Sequence, residues 1–147
     1  MKDESPAVDS SADSTLTDLR SAANQCFVCG PGNSYGLGVA FHMDKEVCRG
    51  EFMPEPKHMG YDNVVHGGLL FSLLDDVMAN WLYLQGERCF TARAEVRYRD
   101  KLPVGTRVQL EGRLVKRRGR LAELEGLVIR SDTGQVVVES TGKFMIG

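Results

Sequence analysis

One segment limits what this chain can fold into more than any other. Gly67–Leu84 carries Leu69, Leu70, Phe71, Leu73, Leu74, Val77, Met78, Ala79, Trp81, Leu82 and Leu84, with no proline. Leucine, alanine and methionine are strong helix formers, so the segment reads as a helix. Gly86 stands where a helix C-terminus favours glycine. Apolar side chains fall on nearly every side of the helical wheel, and a helix of that kind is buried rather than laid on a surface. The apolar runs are too short for a membrane span, which needs roughly 20 residues.

The text around this helix is written in strands. Leu37–Met43 alternates loosely and ends at Asp44-Lys45, a hairpin turn, with Val47–Met53 as the return strand. Pro54–Val65 reads as a long surface loop of the kind that often carries function. After the helix come Cys89–Arg99, Arg107–Lys116, Leu121–Arg130 and Gln135–Ile146. They are separated by Pro103-Val104-Gly105, Arg117-Arg118-Gly119-Arg120 and Asp132-Thr133-Gly134. Tight turns imply antiparallel pairing of successive strands. A long antiparallel sheet has an apolar face to cover, and the greasy helix is the element able to cover it. The expectation is an α+β hotdog fold, an antiparallel sheet curled around one central helix.

Residues 1–24 are set apart from this domain. The first thirteen or so are rich in Ser, Asp and Glu and read as disordered, and Thr15–Asn24 reads as a short helix. The hotdog domain is expected over 25–147. The N-terminal stretch has no apolar core of a secretory signal, so a cytoplasmic location is the expectation. With 18 basic and 20 acidic residues the net charge is −2, which offers nucleic acid no attractive field. Neither nucleic acid nor membrane is therefore expected as a partner. Cys26-Phe27-Val28-Cys29 has metal-ligand spacing, but Cys48 and Cys89 stand alone and far apart, so no second half of a zinc site is legible. The reading is a pair of structural thiols, with no metal and no cofactor.

Two features point to chemistry. Asp75 and Asp76 are adjacent carboxylates in a greasy helix, and burying an unpaired charge is costly. Neighbouring helical residues point about 100° apart, so the two acids must meet different surroundings. His66-Gly67-Gly68 opens the helix, where unpaired N–H groups and the helix dipole suit an anion or a developing oxyanion.

Together, Val65-His66-Gly67-Gly68-Leu69-Leu70-Phe71-Ser72-Leu73-Leu74-Asp75-Asp76 resembles the signature of hotdog acyl-CoA thioesterases of the phenylacetic-acid-pathway (PaaI-like) type. Cys26-Phe27-Val28-Cys29-Gly30 with Gly36-Leu37 is similar to a subgroup of them, and the resemblance runs from about Cys26 to Phe144. It implies that Asp75, nine positions after His66, attacks the thioester or activates water. It implies that the Gly68 N–H, with Gly67, polarises the carbonyl, that His66 orients the turn, and that Thr91 holds the attacking water. It further implies a homodimer or homotetramer with active sites at subunit interfaces and an acyl-CoA substrate. Arg93, Arg97, Arg99, Lys101 and the Arg117-Arg118-Gly119-Arg120 turn offer cations for coenzyme A phosphates, with Arg97 and Arg118 the chosen contacts. Asp76 is a rival or companion to Asp75. Many relatives carry Asn or Gln six positions before the histidine; here that position is Gly60, and Asn63 is the nearest substitute. A non-catalytic acyl-CoA-binding module is the alternative reading. A dehydratase on the same fold ranks last, because His66 is the only histidine near the site.

Overall fold

The computed structural model describes residues 21–147. The polar N-terminal tail and most of the helix expected over Thr15–Asn24 lie outside the described residues. The central segment is a helix, α1, Gly67–Tyr83. Gly86 adopts a φ of 89° just past its end. There the Gly86 N–H donates to Tyr83 O and the Glu87 N–H to Leu82 O, which satisfies the last carbonyls. Leu70, Leu73, Leu74, Val77, Met78 and Leu82 are buried. The opposite side is only half-buried: Leu69, Phe71, Ser72, Asp75, Asp76 and Ala79 keep partial exposure. The expectation of burial on every side therefore holds for one face alone, because a single sheet wraps one side of the helix.

That sheet has six antiparallel strands: β1 His42–Asp44, β2 Val47–Phe52, β3 Cys89–Tyr98, β4 Val108–Arg118, β5 Leu121–Arg130 and β6 Val136–Ile146. Their order across the sheet is β1-β2-β4-β5-β6-β3. This is the α+β hotdog arrangement. Alternation is clear where one face meets the helix: β6 buries every second residue from Val138 to Ile146, with Val137 buried as well. At the closest approach Gly112 of β4 lies beside Gly126 of β5. A Cβ on Gly112 would stand 2.6 Å from the Val77 carbonyl oxygen, so the helix backbone rests on this glycine.

Two expectations change. The first strand is only three residues long, because Leu37 and Val39 bond back to the carbonyls of Phe27 and Val28 instead of extending the sheet. The Pro103-Val104-Gly105 turn does not join neighbouring strands. β3 pairs with β6 at the far edge, and the connector to β4 crosses beneath the loop before the helix. Leu102 in that connector is fully buried, its carbonyl accepts from the Val65 N–H, and Pro103 bridges to Val64. The connector thus pins the loop that leads into His66.

Candidate active site

The helix start is built by residues that leave no room for side chains. His66 is the N-cap, and its Nδ1 accepts the Gly68 N–H at 2.9 Å. A Cβ on Gly68 would stand 3.0 Å from the imidazole, so the cap needs glycine there. The His66 N–H donates to His58 O, which ties the turn to the preceding loop. Tyr98 Oη donates to the Gly67 carbonyl at 2.8 Å, and its ring covers Gly67. The Gly67 N–H has no hydrogen-bond partner among the described residues. Tyr98 was missed in the sequence. Only its place in the alternation of β3 hinted that it would face the helix.

Two turns further on, the adjacent acids part company as their angular separation requires. Asp75 faces β3, where Thr91 Oγ1 donates to Asp75 Oδ1 at 2.6 Å. Burial pushes the Asp75 carboxyl above its ordinary range, and the Thr91 bond holds it partly down. Asp76 faces the N-terminal loop. It accepts from Asn80 Nδ2 at 3.1 Å and from the Cys26 thiol at 3.9 Å. Burial also raises the Asp76 carboxyl, against the hydrogen bonds it receives from Cys29, Cys26 and Asn80. The structure therefore brings Asp75 and Thr91 together and sends Asp76 elsewhere. Burial, then the nearby carboxylates, push the Cys48 thiol to about 12 and the Cys89 thiol to about 11. A thiol so protonated is a poor nucleophile.

The remaining candidates are spread out. Asn63 is exposed in a turn with φ of 64°, its carbonyl accepting from the Val104 N–H. Gly60 lies against His66, where a Cβ would stand 3.4 Å from the histidine backbone. Arg97 is exposed on β3, and Arg118 is exposed at the β4–β5 hairpin tip. Arg118 shares a cross-sheet row with Leu121, Met145 and Phe90, at the opposite end of β3 from Arg97. Seven strand residues separate those ends, about 23 Å, so the two arginines do not form one phosphate site within a chain. Arg93, Arg97 and Arg118 make no ion pair with a described residue, whereas Arg99 pairs with Glu139 and Arg117 with Glu87. No helix among the described residues is long and apolar enough to cross a membrane.

The chain is 28% identical over 116 residues to the acyl-coenzyme A thioesterase THEM5 of Mus musculus, covering 78% of this chain and 46% of that protein. It thus spans about half the length of the curated relatives it matches. Among solved structures it superposes on the thioesterase superfamily protein RHA08564 with a TM-score of 0.74 at 29% identity, covering 80% of this chain and 61% of that one. A mutant of the phenylacetic acid degradation protein PaaI from Thermus thermophilus shares the fold, with a TM-score of 0.67 at 23% identity over 74% of this chain and 93% of that one. The thioesterase superfamily model matches residues 62–137, just over half of the chain. That match takes in the helix start, Asp75 and Thr91, and the chain belongs to the thioesterase superfamily.

Proposed function

We propose that the chain is an acyl-CoA thioesterase that works as a homodimer or a higher assembly of such dimers. Asp75 acts on the thioester carbonyl as nucleophile or as base for the attacking water, and Thr91 holds the carboxylate or the water in line. The carrying observation is the bond between Thr91 and the half-buried Asp75, where the helix meets the edge strand β3. The helix start of the same chain stands too far away to share that carbonyl. Seven residues from Gly68 to Asp75 span about 10 Å along the axis. A second copy supplies the missing donors.

The edge of the sheet supports this. β3 is ten residues long and pairs with β6 on one side only, so its outer edge is free to pair with its equivalent in a partner. Phe90 and Tyr98 are exposed on this strand. In the assembly, Gly67 and Gly68 of one subunit face Asp75 of the other and stabilise the oxyanion. The Gly68 N–H is already held by His66 Nδ1, so a carbonyl oxygen shares or displaces that bond, and His66 orients the donor in the meantime. Water adds to the carbonyl carbon, the carbon–sulfur bond breaks, and the products are a carboxylic acid and coenzyme A thiol. Arg93, Arg97 and Arg118 are among the cations with no ion pair to a described residue and serve the phosphates, and those on different subunits combine where those of one chain cannot. Asn63 and Gly67 border the acyl entrance, and Asp76, turned toward Cys26 and Asn80, takes no part in it.

Thiol release over short, long and aromatic acyl-CoAs tests the reading. Catalytic release from at least one class is expected. Saturable coenzyme A binding with no release from any class would instead make this a binding module.

A further inference from the structure

The sequence left Cys26 and Cys29 without partners, and the thioesterase reading uses neither. We propose that Cys26, Cys29 and Asp76 form a zinc-class divalent cation site that fastens the N-terminal loop to the middle of α1. The two sulfurs and an Asp76 carboxylate oxygen all lie within 4.8 Å of one another. Cys26 Sγ is 3.9 Å from each Asp76 carboxylate oxygen. A tetrahedral zinc ion with Zn–S of about 2.3 Å and Zn–O of about 2.1 Å needs sulfur–oxygen edges of about 3.6 Å and sulfur–sulfur edges of about 3.8 Å. The three donors reach that triangle through shifts of well under an ångström per atom.

The surroundings are those of a ligand set rather than a chance meeting. The Cys29 backbone N–H points at Cys26 Sγ at 3.4 Å, the bond by which a Cys-x-x-Cys turn steadies a thiolate. The turn closes through the Gly30 N–H on the Cys26 carbonyl at 2.9 Å. A Cβ at Gly30 would stand 2.3 Å from the Cys26 amide nitrogen, so the tight turn requires glycine. Asn80 supplies the outer shell. Its Nδ2 donates to Asp76 Oδ2 at 3.1 Å and approaches Cys29 Sγ at 3.9 Å, one turn of helix from the acid it orients. Asn80 is itself buried at 5% exposure. Beside the cluster a cleft of about 190 Å³ opens between Ala22, Ala79, Tyr83 and Arg88, so water completes four-coordination. Two thiolates and one carboxylate select a borderline-soft ion over calcium or magnesium. The missing half of the zinc site comes from a carboxylate fifty residues downstream, not from Cys48 or Cys89.

The test uses the full chain, stripped with a chelator and titrated with Co(II) and, separately, Zn(II). Wild type is expected to take up one ion per chain, with sulfur-to-Co(II) charge-transfer bands, tetrahedral d–d bands, and a raised thermal midpoint with Zn(II). The charge-transfer bands fall in Cys26→Ser and Cys29→Ser and persist in Cys89→Ser. Asn80→Ala weakens the apparent Kd by about 10–100-fold, as loss of an outer-shell partner does. Wild-type protein that shows neither bands nor a midpoint shift overturns the site, as does a full signal in the Cys26→Ser/Cys29→Ser double variant. If a serine variant fails to fold, the wild-type stoichiometry and the Asn80→Ala titration decide in the same way.

Discussion

Gly112 is where the helix that carries Asp75 rests on the sheet, and replacing it with alanine tests the architecture at that contact. The added Cβ would lie 2.6 Å from Val77 O and 3.0 Å from Val77 C. A carbon–oxygen contact wants about 3.3 Å, so the helix must retreat by roughly 0.7 Å. The obstacle is backbone in the middle of α1 and cannot swing aside. Overpacking of this sort costs about 1–3 kcal/mol, here toward the upper end. Alanine regains roughly 0.5–1 kcal/mol through its lower chain entropy in the unfolded state. The clash wins, and Gly112→Ala is expected to lose about 1–2.5 kcal/mol. For a domain of this size that lowers the thermal midpoint by about 3–10 °C. Gly126→Ala is the internal control. Its Cβ meets side-chain atoms of Leu74 and Met78 at 3.2 Å, which give way more easily. Thermal denaturation followed by circular dichroism reads both. A Gly112→Ala protein as stable as wild type, or more stable than Gly126→Ala, would refute this packing.

Thr91→Val removes the hydroxyl that bonds Asp75 and keeps the side-chain shape. A bond to a charged group is worth about 1.5–3 kcal/mol, so kcat/KM for the preferred acyl-CoA should fall by about 10–150-fold. An unchanged value would detach Thr91 from the chemistry. Glu111 accepts from Arg49 at 2.6 Å and from Arg113 at 2.9 Å. Burial pulls its carboxyl up, but the two arginines outweigh it and hold the carboxyl below its ordinary value. A lowered folded-state value means the stabilisation is present above the unfolded value, near pH 4.5, and lost as pH falls through the folded value. Glu111→Gln should therefore cost about 1–2 kcal/mol in urea denaturation at about pH 7, and the gap to wild type should narrow as the pH is taken down through the carboxyl's lowered folded-state value. A gap that is constant with pH contradicts the sign.

The sequence was most informative where burial is local. The run from Leu69 to Leu84 declared α1, and strand-like runs set off by turn residues declared β3, β4, β5 and β6, because in each case the signal lies in the element's own residues and its flanking turns. Strand order was not legible. β3 is followed by a Pro-Val-Gly turn like a hairpin's, yet it pairs with β6, a choice made by sheet closure and the burial of Leu102 rather than by residues 103–105. The separation of Asp75 from Asp76 followed from helix geometry alone. Their partners did not: Thr91 lies sixteen residues away and Cys26 fifty. The role of His66 as cap for Gly68 was likewise hidden. A histidine before two glycines carries no capping signal of its own, and the 2.9 Å bond to the Gly68 N–H is what identifies the cap.

The central claim is that the Asp75 carboxylate performs the chemistry of a thioesterase. Steady-state thiol release by Asp75→Asn, beside a thermal melt of the same protein, tests it most directly. The amide keeps the size of the acid but can neither attack a carbonyl nor take a proton. The prediction is a fall in kcat of about 10²–10⁴-fold with a cooperative melt retained. Hydrolysis by the Asn variant at the wild-type rate would contradict it.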